Sequence, residues 1–234
     1  MNVITHSVDD YEALVEHLVK TSPYDIAMYR AIGCQNFEEF RDTGDSQVAV
    51  LRHHGLVDGM NIYDLGCGSG RTAHALLRSD WKGAYTGADI IDRLVEYLKE
   101  NCPGCEAIVN RELNIVAPDG SLDMIFHWSL FTHLFIEEAY LYFKDIHRAL
   151  KPGGRLMFSF VELENESHVR VFRSRVELFA NKQHFGQLDT FLHRDWIRKW
   201  AAEIGFAAPR FTDGADRTHH PPVWQSVAAM DKPA

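Results

Sequence analysis

The stretch Asn61-Ile62-Tyr63-Asp64-Leu65-Gly66-Cys67-Gly68-Ser69-Gly70-Arg71-Thr72-Ala73-His74-Ala75-Leu76-Leu77 decides the reading of this chain. Residues of strand composition run into three glycines at alternate positions, and a helical pattern carried by Ala75, Leu76 and Leu77 follows at once. Strand, tight turn and helix together open a βαβ unit, the repeating element of a parallel sheet. Glycine permits the sharp turn and a close approach of backbone to a ligand, because a β-carbon at those positions is expected to fill the ligand's space.

Working outward, a second strand is expected from Ala84 to Asp89, followed by a helix bearing Leu94, Val95 and Leu98 that stops near Pro103. Cys105 to Val109 reads as a third strand, and the apolar run Leu122 to Trp128, bounded by Pro118-Asp119-Gly120, as a buried central one. A helix from Glu137 to Leu150 then meets Lys151-Pro152-Gly153-Gly154, a turn into a strand from Arg155 to Val161. A further helix from Arg194 to Glu203 and two short strands, Arg210 to Thr212 and Val223 to Ala228, complete the pattern. Alternating strands and helices predict an α/β fold, doubly wound, with a mostly parallel seven-stranded sheet and helices on both faces.

Ahead of the first strand, Ser7 to Lys20 has helical spacing with Ser7 and Asp10 as a capping box, Pro23 interrupts, and a second helix is expected from Asp45 to Gly55. Glu162 to Thr190 breaks the rhythm, being polar and too long for a simple connection, with a helix predicted over Val169 to Phe179. One domain spanning 1–234 is expected, divided into a helical cap (1–57), a ligand-binding core (58–161), a lid or acceptor insertion (162–192) and a C-terminal helix with the last strands (193–234).

Tyr63-Asp64-Leu65-Gly66-Cys67-Gly68-Ser69-Gly70-Arg71 resembles the first motif of class I S-adenosylmethionine-dependent methyltransferases of the small-molecule type. Asp89 resembles the family's ribose-binding acid, and Leu122-Asp123-Met124-Ile125-Phe126 its fourth strand. Ser129-Leu130-Phe131-Thr132-His133-Leu134 resembles the segment after that strand, and Ala149-Leu150-Lys151-Pro152-Gly153-Gly154-Arg155-Leu156 the turn that follows. The likeness runs from Asp58 to Val161. It implies a Rossmann-like fold and S-adenosylmethionine as methyl donor. A glycine turn alone also serves nicotinamide enzymes, but their fingerprint is G-x-G-x-x-G, whereas here it is G-x-G-x-G with an acid two residues earlier.

The resemblance also implies roles. Asp64, Gly66, Cys67, Gly68, Gly70 and Arg71 would surround the methionine portion, Asp89 would hold the ribose, and Ile90 would pack on adenine. In the family an acid after the third strand binds the adenine amino group; Asn110-Arg111-Glu112-Leu113-Asn114 lacks the usual Asp, so the resemblance leaves Glu112, beside Leu113, for that contact. Backbone from His127 to Ser129 would close over the donor's amino acid end. An acceptor hydroxyl needs a general base, for which His133 and His127 are the candidates by position.

Other features read more plainly as structure. Cys102-Pro103-Gly104-Cys105 lies at a helix C-terminus, the wrong end to lower a thiol pKa, and no second cysteine pair exists to complete a zinc site, so no metal is expected. His219-His220 and His184 read as loop residues, and Phe172, Phe179, Phe185 and Phe191 as either an acceptor grip or the buried face of a lid helix. With net charge -9 and 24 scattered Lys and Arg, a nucleic-acid partner is not expected, and no apolar run reaches the roughly 20 residues of a membrane span. The resemblance, taken with this composition, implies a cytoplasmic enzyme acting on a small-molecule acceptor, oxygen ahead of nitrogen by analogy. A homodimer stays open, as do a non-catalytic donor-binding partner protein and a nicotinamide-dependent oxidoreductase.

Overall fold

The structure is a computed structural model that describes residues 8–182, 188–218 and 222–234. Its centre is a seven-stranded sheet of order β3-β2-β1-β4-β5-β7-β6. The strands are β1 (Asn61–Leu65), β2 (Ala84–Asp89), β3 (Glu106–Val109), β4 (Leu122–His127), β5 (Leu150–Phe160), β6 (Arg210–Thr212) and β7 (Ser226–Asp231). Strands β1 to β5 pair in parallel, while β7 lies antiparallel between β5 and β6, with Phe160 opposite Ser226 and Arg155 opposite Asp231. The doubly wound, mostly parallel reading holds, and the sequence order reverses beside β1, where β4 joins its free side.

Each sheet face carries its own core. On one, Ile125, Phe158, Ala228 and Met230 pack under α6 (Ile136–Ala149) and α8 (Arg194–Ile204) through Phe143, Ile146, Ile197 and Ala201. On the other, Ile62, Phe126 and Met157 meet α3 (Phe37–His53), α4 (Arg71–Arg78) and α5 (Asp92–Asn101) through Leu51, Leu76, Val95 and Leu98. A third cluster joins α1 (Val8–Thr21) and α2 (Tyr24–Ala31) to the outer side of α5 through Val15, Met28, Tyr29, Leu94 and Tyr97. The two N-terminal helices are thereby fixed over the carboxyl edge of β2.

Three expectations need correction. Pro23 starts a helix as well as interrupting one: α2 follows it directly, in agreement with proline's pre-set φ at helix starts. Helix α3 begins at Phe37, not Asp45, capped by the Asn36 side chain accepting from the Glu39 amide at 2.9 Å. Strand β7 runs over Ser226–Asp231 rather than Val223 to Ala228, because Trp224 takes φ 66 and Gln225 turns the chain before pairing with β5 begins. Ser7, His184, Phe185, His219 and His220 lie outside the described residues.

Helix α7 (Glu166–Ala180) follows β5. It is tied down through Glu162, which is 1% exposed and accepts from Arg194 at 2.8 and 2.7 Å and from the Ser226 hydroxyl at 2.5 Å. Phe172 and Phe179 are exposed, so they are not the buried face of a lid helix, although Phe172 sets its ring edge to Phe191. Replacing Glu162 by Leu leaves Arg194 with Asp213 alone and the buried Ser226 hydroxyl without its acceptor. The expected cost is about 3 kcal/mol, read as a lowered urea midpoint at unchanged slope.

Candidate functional site

The carboxyl ends of β2, β1 and β4 lie side by side, and loops leaving them enclose a crevice of about 420 Å³, within the range of small-ligand pockets. The glycine turn is pinned to the neighbouring strand, since the amides of Gly66 and Cys67 both donate to the Ala88 carbonyl at 2.7 and 3.0 Å. Gly66, Gly68 and Gly70 have φ of 76, 55 and 87°, which glycine alone adopts at little cost. The expected reason for these glycines is corrected in part. A β-carbon on Gly68 would meet Ile32 Cγ2 at 2.6 Å, and one on Gly70 would meet Leu98 Cγ at 2.7 Å. Close packing of the N-terminal segment and α5 on the turn therefore demands glycine, along with the turn's own dihedrals.

Asp89, half-buried at the tip of β2, accepts from the Gly68 amide at 2.9 Å and from the Ile91 amide at 3.1 Å, one on each carboxylate oxygen. Each oxygen keeps a further acceptor site. Burial raises its pKa and those amides oppose the rise. Asp64 lies deeper, 2% exposed, and accepts from the Tyr85 hydroxyl at 2.8 Å; burial pushes its carboxyl up to about 7. Arg71 ties the turn to the roof by donating to Gln47 Oε1 at 3.3 Å and the Ile32 carbonyl at 3.4 Å.

Of the residues singled out from sequence, Asp64, Gly66, Cys67, Gly68, Arg71, Asp89, Ile90, Ser129 and His133 line the crevice. Gly70 does not; its role is to pass the chain into α4 against Leu98. Glu112 and Leu113 are also absent from the lining: Leu113 packs on the core, and the Glu112 carboxylate accepts from Asn114 at 3.2 Å. Asn110, held by bonds to Asn114 and to the Glu112 amide, lines the crevice in their place. His127 fails as a base. Period-two alternation along β4 turns its ring into the core, 0% exposed and stacked on Phe158 at 5.2 Å, where burial pushes its pKa down to about 3 and neither nitrogen has a partner.

Sequence reading missed Tyr11, Ile32, Gln47, Asp189, Trp224 and Gln225, which reach the crevice from segments far apart in the chain. Trp128, the end of the predicted strand, was expected to offer only its backbone. Its indole Nε1 is buried without a partner in the lining, a donor left for a ligand or water. Among the described residues no group of three or more His, Cys, Asp or Glu is placed to hold a metal. Burial pushes the Cys102 thiol up to about 12 and Cys105 up to about 11, the reverse of a redox pair.

A glycine turn against a carboxylate with acceptor sites to spare, an apolar flank at Ile90 and an unpaired indole donor fit an adenosyl group bearing a polar chain. The fold is the Rossmann-like fold of class I S-adenosylmethionine-dependent methyltransferases. Residues 62–154 match the family model described as a methyltransferase domain. Solved structures share the fold at low identity. A SAM-dependent methyltransferase of Thermotoga maritima has TM-score 0.64 and 16% identity, with 98% of this chain and 100% of that one covered. The magnesium protoporphyrin IX methyltransferase of Synechocystis, with bound SAH, has TM-score 0.63 and 17% identity over 94% and 99% of the two chains. A complex holding the Trm112 methyltransferase activator of Haloferax volcanii gives TM-score 0.65 and 15% identity over 97% and 98%. Over residues 62–154 the chain carries a methyltransferase domain, set in the fold that these S-adenosylmethionine-dependent methyltransferases share. Among the described residues no helix is long and apolar enough to cross a membrane.

Two outcomes follow. Asp89→Ala removes charge-assisted hydrogen bonds worth about 1.5–3 kcal/mol each and is expected to weaken donor binding by at least about tenfold in calorimetry; unchanged affinity removes Asp89 from donor recognition. A cationic ligand favours the ionised form of Asp64, so binding releases a proton, and donor affinity is expected to rise as pH climbs through about 7 and to level off above it. Asp64→Asn should flatten that profile. Without donor it should also be the more heat-stable protein at pH 8, since a carboxyl whose native pKa is raised loses its stabilising effect as pH rises through that value.

Proposed function

We propose that this enzyme transfers the methyl group of S-adenosylmethionine to a small-molecule acceptor in the cytoplasm, with oxygen favoured over nitrogen and no nucleic-acid or membrane partner. The observation that carries the reading is the roof of the crevice. Tyr11, Leu14 and the Arg30 to Gly33 segment close one side, Val171 of α7 and Asp189 another, and Trp224 with Gln225 a third, so an entering acceptor meets this chain on several sides. Residues 1–57 then act as a cap and 162–192 as the acceptor lid around the 58–161 core.

When bound, S-adenosylmethionine supplies a methyl group on a sulfonium centre, already activated for in-line displacement. The protein's task is orientation, which can contribute on the order of 7–11 kcal/mol. Asp89 would fix the ribose. Gly66, Cys67, Gly68 and Arg71 would bound the methionine portion, Asn110 and Ile90 the adenine, and the backbone at Ser129 the amino acid end.

His133 is the proposed base. Its Nδ1 lies 3.2 Å from the Leu188 carbonyl, which only accepts, so Nδ1 carries the proton and Nε2 is the proton-accepting nitrogen. Burial lowers its pKa, which keeps the ring neutral at pH 7, and the charge of Asp189 favours the imidazolium formed once a proton arrives. Asp189 itself pairs with Arg175 of α7, so the base is linked to the lid.

A labelled-methyl screen over small hydroxylated and amino compounds tests the reading. With a hydroxyl acceptor, His133→Ala is expected to lower turnover by about 10²–10⁴-fold with product affinity near that of the wild type; an undiminished rate strikes His133 from the mechanism. Tight donor binding without turnover on any compound would point to a partner protein without catalysis of its own.

A further inference from the structure

Among the described residues, four that are not glycine adopt positive φ, and two of them, Ser129 (59°) and Trp224 (66°), line the crevice. For a bulky ring the left-handed region is an outlier that persists only where the surroundings enforce it, and such strain concentrates at functional sites. The enforcement at Trp224 is visible. Its amide donates to the Gly214 carbonyl at 3.2 Å, and Gly214 packs so closely that a β-carbon there would overlap the Trp224 carbonyl. That carbonyl accepts from His168 Nε2 at 3.0 Å, and the imidazole stands edge-on to the indole at 4.9 Å.

His168 is 0% exposed, and its tautomer is fixed. Its Nδ1 accepts from the Glu162 amide at 3.1 Å, which leaves the proton on Nε2. Glu162 is in turn held by Arg194 and Ser226. Next to the indole, Gln225 accepts from the Ser159 hydroxyl at 2.7 Å, and the same hydroxyl oxygen accepts from the Ser129 amide at 2.8 Å, so both strained residues belong to one chain of bonds. Despite this bracing the indole remains 45% exposed. Elsewhere in the lining, Tyr11 and His133 form an aromatic edge pair at 5.6 Å. The cations of the lining do not invite an anion: Arg30 donates to Ser22 at 3.0 Å, and Arg71 to Gln47 and Ile32.

We propose that Trp224 is a specificity-determining residue for the acceptor, a braced platform for a planar, uncharged aromatic molecule, and that His168 of α7 is the positioning residue that holds it. This rests on the small-molecule reading given above. An aromatic acceptor gains from offset stacking or edge contact on a fixed indole, and a saturated molecule of the same size does not.

The test uses 1-naphthol and its saturated counterpart 2-decalol as probes, titrated calorimetrically into the full chain saturated with S-adenosylhomocysteine. The wild type is expected to bind 1-naphthol about tenfold more tightly than 2-decalol. Trp224→Leu should erase that difference and Trp224→Tyr should keep most of it. His168→Leu should lose about tenfold in 1-naphthol affinity and His168→Gln, which can donate from Nε2, should recover it, while affinity for S-adenosylhomocysteine stays within about twofold throughout. Equal binding of the two probes, binding of neither, or an unaltered preference in Trp224→Leu overturns the platform. Full 1-naphthol affinity in His168→Leu overturns the positioning role. Should S-adenosylhomocysteine itself not bind, the methyltransferase reading fails, and titration of 1-naphthol alone still decides on Trp224.

Discussion

The Asp89 carboxylate holds the crevice open by bonding two amides at once, Gly68 in the turn leaving β1 and Ile91 beyond β2. A turn made of glycines has a large conformational entropy to lose, and here the neighbouring strand takes it up, with the Ala88 carbonyl receiving the Gly66 and Cys67 amides and Asp89 the Gly68 amide. In the proposed function the same carboxylate would also accept from vicinal hydroxyls, so one group would shape the backbone and seat a nucleoside. Beneath it, Asp64 accepts from the Tyr85 hydroxyl, and burial disfavours its ionised form more than Tyr85 and the nearby Arg71 favour it.

A second set of polar groups organises the other half of the crevice. Glu162, Arg194, Ser226 and His168 link the end of β5, α8, β7 and α7 where apolar packing alone would leave their relative positions loose. Burying a carboxylate costs several kcal/mol, and a pair like this one often adds little net stability. Its return is geometric. The network ends on the backbone of Trp224, so this wall of the crevice is set by the same bonds that hold α7.

The donor half was legible because its elements are neighbours in sequence. The run from Asn61 to Gly70, with Asp89 at the next strand's tip, contains both the fold signal and the chemistry. Helix α3 was read too short although Asn36 and Glu39 stand at capping-box spacing; its mid-helix Gly44 is there because a β-carbon would press on the Arg71 carbonyl of α4 at 2.8 Å. His127 was misplaced because position in the chain says that a residue lies near a strand end, whereas alternation decides which face it takes. Tyr11, Asp189, Trp224 and Gln225 could not be found locally, for only the closed fold brings them to one place.

Strand β7 enters the sheet between β5 and β6, so the outer two positions cannot be filled in the order in which the chain runs. Pairing Ile62 with Met124 and Phe160 with Ser226 closes loops of similar length, but the second pairing waits on strands that the chain supplies last. A chain caught midway would already own its nucleotide cradle and would still lack Trp224 and Gln225, able to grasp a cofactor before it had acquired any means of choosing what to modify.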